Sequence, residues 1–115
     1  MPHSETNIMD KSVTVLLATE KPFAASAVTG MQRELALGST TKFTLERFEK
    51  YSCAEELRAE LARVQPAAVI IRSDIADAAF FQAAADNLKI VVRAGAGVDN
   101  IDMAAASAAG IVAMN

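Results

Sequence analysis

The chain has 115 residues, 52% hydrophobic and 22% charged, with a formal net charge of −3 and no tryptophan. That length fits one domain with a real core, and the composition excludes disordered and collagen-like chains. The charges are mixed, with no basic face, so no nucleic-acid partner is expected, and no apolar run is long enough to predict a membrane span.

Residues 1–11, "MPHSETNIMDK", lack the apolar centre of a secretory signal and the arginines of a transit peptide. They are expected to form a polar extension ahead of a domain at 12–115. The single histidine, His3, falls in that extension with no second ligand nearby, so no metal site is expected. The single Cys53 excludes an internal disulfide and suits a reducing compartment, so a cytoplasmic location is expected. Following Ser52, it is expected to be a small packing residue.

From residue 13 the pattern alternates between strand and helix. "VTVLLAT" (13–19) is apolar on both faces, as in a covered parallel sheet. Pro22 is expected to open the next helix, where Ala24, Ala27, Val28, Met31 and Leu35 recur at helical spacing and Gly38 supplies the stop. Gly30 inside it should cost about 1 kcal/mol relative to alanine, with close packing on the sheet as the expected reason. "TKFTLERF" (41–48) alternates as an edge strand, wetter on one face. Ser52 and Glu55 read as a capping box, followed by a stripe of Ala54, Leu57, Leu61 and Val64 that Pro66 ends. Strand "AAVII" (67–71), a helix over 76–86, strand "KIVV" (89–92), a short helix from Asp102 to Ala109, and Gly110 before strand "IVAM" complete the series.

Strands separated by single helices through short connections require parallel pairing with right-handed crossovers. The expectation is an α/β, flavodoxin-like fold: a five-stranded parallel sheet flanked by helices, in the order 2-1-3-4-5. No repeat, low-complexity tract or linker divides it. A fifth strand running directly into Asn115, with no helix after it to cover it, predicts that these residues are part of a larger domain.

In open parallel sheets, ligands bind beyond the carboxyl ends of the strands. This chain places Thr19, Glu20 and Lys21 there after the first strand and Arg72, Ser73 and Asp74 after the third. Arg93, Ala94 and Gly95-Ala96-Gly97 follow the fourth, and Asn115 the fifth. Two guanidiniums, a hydroxyl and a glycine loop with free N–H groups suit a carboxylate or phosphate. The competing expectation is that Arg72 and Arg93 are surface charges paired with Asp74 and Asp99. For both together, each ending an apolar strand, the anion site is favoured. The glycine loop alone is weaker evidence. A dinucleotide fingerprint needs a third glycine where this chain has Asn100, and an acid about twenty residues further on, where it has Asn115. The loop also reaches its helix only through Val98-Asp99-Asn100-Ile101, so a pyrophosphate would not meet the helix N-terminus.

Arg72-Ser73, then "NLKIVVRAGAGVDNID", then "GIVAMN" resemble the N-terminal segment of the D-isomer-specific 2-hydroxyacid dehydrogenases, most of all their phosphoglycerate-oxidising branch. "VLLATEKPFAASAVTGM" fits the opening strand and helix of that family, and the resemblance covers 13–115. One departure is Ala76, where relatives often carry a threonine helix cap. The resemblance implies a two-domain, NAD-dependent enzyme whose substrate domain is formed by both chain ends, with a Rossmann domain inserted between them. On that basis 12–115 is the N-terminal portion of the substrate domain, and the NAD domain is absent from this chain.

By resemblance, Arg72, Ser73 and Arg93 hold the substrate's phosphate or carboxylate. Gly95, Gly97 and Val98 bring backbone N–H groups to the reacting carboxylate, Ala96 lies near the nicotinamide end of NAD, and Asn115 sits at the hinge near substrate. The family's catalytic histidine, its carboxylate partner and its orienting arginine match no position here, so the 115 residues alone are expected to be inactive. The implied partner is a small anionic substrate, 3-phosphoglycerate or another 2-hydroxy acid, and the full-length enzyme is expected to be a homo-oligomer. Two alternatives stand beside it: a relative acting on glyoxylate, hydroxypyruvate or another 2-hydroxy acid, and a non-catalytic anion-binding module. A phospho-receiver is disfavoured, because Thr19-Glu20-Lys21 and Arg72-Ser73 have the wrong charges for magnesium.

Overall fold

A computed structural model describes residues 12–37 and 42–115. Its elements are β1 (Ser12–Thr19), α1 (Ala25–Ala36), β2 (Lys42–Glu49), α2 (Ala54–Val64), β3 (Ala68–Ile71), α3 (Ala78–Ala84), β4 (Ile90–Arg93), α4 (Met103–Ala108) and β5 (Val112–Met114). A 3₁₀ turn, Ala85–Asn87, follows α3. The strands form one parallel sheet in the order β2-β1-β3-β4-β5, as the alternation of elements predicts.

The register explains how the strand ends come level. Leu17 pairs with Ile70, Ile70 with Val92 and Val92 with Met114, while Ile71 pairs with Arg93. Arg72, Arg93 and Asn115 therefore emerge together at the carboxyl edge. Because side chains alternate along a strand, Leu16, Ala18, Val69, Ile71 and Val91 face one side. There they form the main core with Leu57 and Leu61 of α2, Phe80, Phe81 and Ala84 of α3, and Ala106 of α4. Phe80 and Phe81 meet edge-on at 5.3 Å between ring centroids, a favoured aromatic geometry. Val15, Leu17 and Val28 are buried outside that cluster, which fits α1 lying on the opposite face, as right-handed crossovers require.

Several helix ends differ from expectation. Pro22 does not open α1: the helix starts at Ala25, with Ala24 as N-cap and no side-chain cap. Of the expected α1 stripe only Val28 is buried, while Ala27, Met31 and Leu35 are half-buried and Ala24 is exposed. A Cβ built on Gly30 meets nothing within 4 Å, so close packing does not account for it. The Gly38 stop and His3 lie outside the described residues. The Ser52–Glu55 box is displaced by one residue. The N-cap of α2 is Cys53, and the Ser52 N–H donates to Glu56 Oε1 at 2.7 Å. Cys53 is exposed rather than packed. In α2 the stripe buries Leu57 and Leu61, leaves Val64 half-buried and exposes Ala54.

Ala76 is not a helix cap. It is fully buried and bridged to Ile101, and α3 is capped instead by Asp77, whose Oδ1 accepts the Phe80 N–H at 3.0 Å. Asp102 caps α4 through the Ala105 N–H at 2.9 Å. The helix ends in a Schellman turn at Gly110, whose φ is +75°; Gly110 N–H donates to Ser107 and Ile111 N–H to Ala106. β5 leaves Val112 and Met114 exposed.

Candidate functional site

The carboxyl rim is built from three loops. After β1, the buried Thr19 hydroxyl donates to the Lys21 carbonyl at 2.7 Å and fixes the turn at Glu20. After β3 come Arg72, half-buried, Ser73, exposed, and Asp74, buried. Thr19, Glu20, Lys21, Arg72, Ser73 and Asp74 enclose a cleft of about 110 Å³. The Arg72 guanidinium lies 5.3 Å from the Phe23 ring centroid, a cation–π distance, and its Nη1 reaches the Pro22 carbonyl at 3.5 Å.

After β4 the chain turns immediately. The Ala94 N–H donates back to Ile71 at 2.8 Å and the Gly95 N–H to Arg93 at 3.1 Å. Gly97 has φ +74°, the left-handed conformation that favours glycine. Arg93 folds over this loop: its Nη1 donates to the Ala96 carbonyl at 2.5 Å and its Nε to the Arg72 carbonyl at 3.1 Å. Among the described residues, the N–H groups of Ala96, Gly97 and Val98 donate to no protein acceptor. Ala96 and Gly97 are exposed and Val98 is half-buried.

The two arginines thus share the rim, joined by the Arg93 guanidinium on the Arg72 backbone carbonyl. Arg72 belongs to the cleft with Ser73 and Lys21, whereas Arg93 clamps the glycine loop to the β3 loop. No ion pair joins either arginine to Asp74 or Asp99 among the described residues, so the paired-charge alternative fails. Asn115, exposed, follows Met114 on the same edge.

Three rim residues have roles that the sequence did not single out. Asn100 donates through Nδ2 to the carbonyls of Arg72 at 3.0 Å and Asp74 at 2.6 Å, tying the β4 loop to the β3 loop. Its Oδ1 is buried without a partner. Asp74 accepts the N–H groups of Glu20 at 2.8 Å and Arg72 at 3.0 Å, together with the Tyr51 hydroxyl. Burial first, and then the hydrogen bond to Asp74, push the Tyr51 hydroxyl well above the ordinary tyrosine range. A polar residue in the third glycine position was the one available sign for Asn100. Tyr51 and Asp74 belong to no spacing motif.

A family model described as D-isomer specific 2-hydroxyacid dehydrogenase, catalytic domain, matches residues 23–115. The chain belongs to that dehydrogenase family. Residues of D-3-phosphoglycerate dehydrogenase from Archaeoglobus fulgidus are 50% identical over 62 positions, 53% of this chain and 11% of that protein. The structure of NAD+-bound 3-phosphoglycerate dehydrogenase from Entamoeba histolytica superposes with a TM-score of 0.77 at 36% identity, covering 90% of this chain and 32% of that one. A glyoxylate reductase from Paecilomyes thermophila shares the fold, with a TM-score of 0.67 at 22% identity, over 90% of this chain and 31% of that one. The chain therefore spans about a third of the length of these solved dehydrogenases. Within the dehydrogenase family match lie the whole of the β3 and β4 loops and Asn115.

Proposed function

We propose that this chain forms the substrate side of the active-site cleft in an NAD-dependent D-2-hydroxyacid dehydrogenase that oxidises 3-phosphoglycerate to 3-phosphohydroxypyruvate in serine biosynthesis. The observation that carries the proposal is the rim itself. Arg72 and Ser73 line the cleft after β3, and the next loop along the rim carries the unpartnered N–H groups of Ala96, Gly97 and Val98. Arg93 crosses between the two loops. A guanidinium and a hydroxyl suit a phosphate, and a row of N–H groups suits a carboxylate. The phosphoglycerate dehydrogenase relatives support that substrate.

The chemistry that NAD would supply to this cleft is acceptance of the hydride. In this proposal the chain meets only the cofactor's nicotinamide end, at Ala96. Ala96 stands on the exposed loop, but α4 behind it has six residues and its Ala105 N–H already serves Asp102. A pyrophosphate would find no helix N-terminus there, so the proposal assigns most cofactor contacts, and the proton-abstracting base, to residues outside these 115. The residues present bind and orient the substrate. The same proposal places the protein in the cytoplasm as part of a homo-oligomeric enzyme.

One observation favours a second reading, in which the substrate is a singly charged 2-hydroxy acid such as glyoxylate's reduced form. Both Arg93 donors named above are engaged by protein carbonyls, which leaves Arg72 as the more available guanidinium. Titrating the chain with 3-phosphoglycerate and with glycerate separates the two. The phosphate-bearing acid should bind at least about tenfold more tightly, the worth of one charge-assisted hydrogen bond. Arg72→Ala should remove that advantage, and Arg93→Ala should lower affinity and stability together. Equal affinity for the two acids supports the second reading. Wild-type affinity in both arginine variants removes the anion site altogether.

A further inference from the structure

Asp74 is 6% exposed, yet among the described residues no lysine or arginine pairs with it. Burying a carboxylate without a counter-charge is costly unless hydrogen bonds satisfy it. Here the donors come from three strand ends: the Glu20 N–H after β1, the Tyr51 hydroxyl after β2 and the Arg72 N–H after β3. Tyr51 is itself held, stacked on Phe48 with ring centroids 5.8 Å apart and planes within 3° of parallel.

The bond to the Arg72 N–H is the informative one, because that backbone carries the guanidinium lining the cleft. Asp74 Oδ1 holds Arg72 from the N–H side, while Arg93 and Asn100 hold its carbonyl from the other. Residues 72–74 are bracketed from both directions. By charge alone a carboxylate beside an anion site opposes binding, so any favourable contribution has to be geometric.

We propose that Asp74, itself held by Tyr51, is a positioning residue for substrate binding: its carboxylate fixes the backbone at Arg72 so that the guanidinium and the Ser73 hydroxyl are presented to the anion. This role rests on the anion site proposed above. The raised Tyr51 hydroxyl fits it, since the phenol remains a donor across the neutral pH range.

The test is a 3-phosphoglycerate titration of the whole chain, followed by NMR well below the unfolding temperature, for wild type, Tyr51→Phe, Asp74→Asn and Arg72→Ala. Tyr51→Phe leaves the net charge unchanged and should weaken binding about threefold to tenfold, as expected for one lost hydrogen bond. Asp74→Asn should weaken it further even though it removes a negative charge. A purely structural role would lower the unfolding temperature of both variants and leave affinity alone, and a purely electrostatic one would tighten binding in Asp74→Asn. Wild-type affinity in Tyr51→Phe, or undiminished affinity in a folded Asp74→Asn, overturns the positioning role while Arg72→Ala still reports the anion site. If Asp74→Asn does not fold, Tyr51→Phe decides alone. If wild type binds no 3-phosphoglycerate, the anion site and the positioning role fall together.

Discussion

Gly95 and Gly97 carry the same expected role in the sequence, but the structure separates them. Gly97 has φ +74°, so alanine there is strained whatever the space, and Gly97→Ala should destabilise by about 1–2 kcal/mol. A Cβ on Gly95 would meet Arg93 Nε at 3.5 Å, an ordinary contact, and Gly95→Ala should stay within about 0.5 kcal/mol of wild type. Denaturant midpoints of the two variants check this directly, and equal losses would contradict it.

Tyr51 is the only tyrosine and the chain has no tryptophan, so its ionisation can be followed cleanly by tyrosinate absorbance. The folded chain should hold the phenolic proton well past pH 10, the value of an unperturbed tyrosine. Because the folded-state value is the higher one, the stabilisation is fully present below about pH 10 and is lost as pH rises beyond it. A titration centred near 10 in the folded protein would contradict both the burial of the phenol and its bond to Asp74.

At the scale of elements, α1 is the least optimised part of the described chain. It has no side-chain cap, one buried residue and a glycine whose missing Cβ points into open space. Gly30→Ala should therefore stabilise by about 1 kcal/mol, read as a raised denaturant midpoint. A loss of stability would mean that Gly30 makes a contact the isolated chain does not reveal. Element types and order were legible because apolar runs of strand length alternate with helical spacing. Helix starts were not. Ser52 and Glu55 satisfy the capping pattern as letters, but Cys53 takes the extended N-cap conformation and Glu56 reaches the Ser52 N–H instead. Asp77 supersedes Ala76 in the same way, because residue 76 is drawn into a bridge with Ile101.

For the whole molecule, the sheet order and register carry the functional argument. They bring Arg72, Arg93 and Asn115 level on one edge, and that juxtaposition could be foreseen because a parallel sheet places all its carboxyl ends together. The clamps within the rim could not be foreseen. Asp74, Tyr51 and Asn100 are separated by up to 49 residues in sequence (100 minus 51) and obey no local spacing; they meet only after the sheet has formed. The opposing guess, Arg72 paired with Asp74, chose the right neighbours and the wrong atoms: the carboxylate takes the Arg72 N–H and leaves the guanidinium for the cleft.

The claim that this rim is a substrate site is tested most directly by mapping backbone amide shifts as 3-phosphoglycerate is added to the chain. The largest changes should fall on Arg72, Ser73, Ala96, Gly97 and Val98, with Gly110 and the far end of α3 unmoved. Changes confined to the groove lined by Ala78, Phe81, Ala105 and Gly110, or no saturable change at any residue, would contradict it.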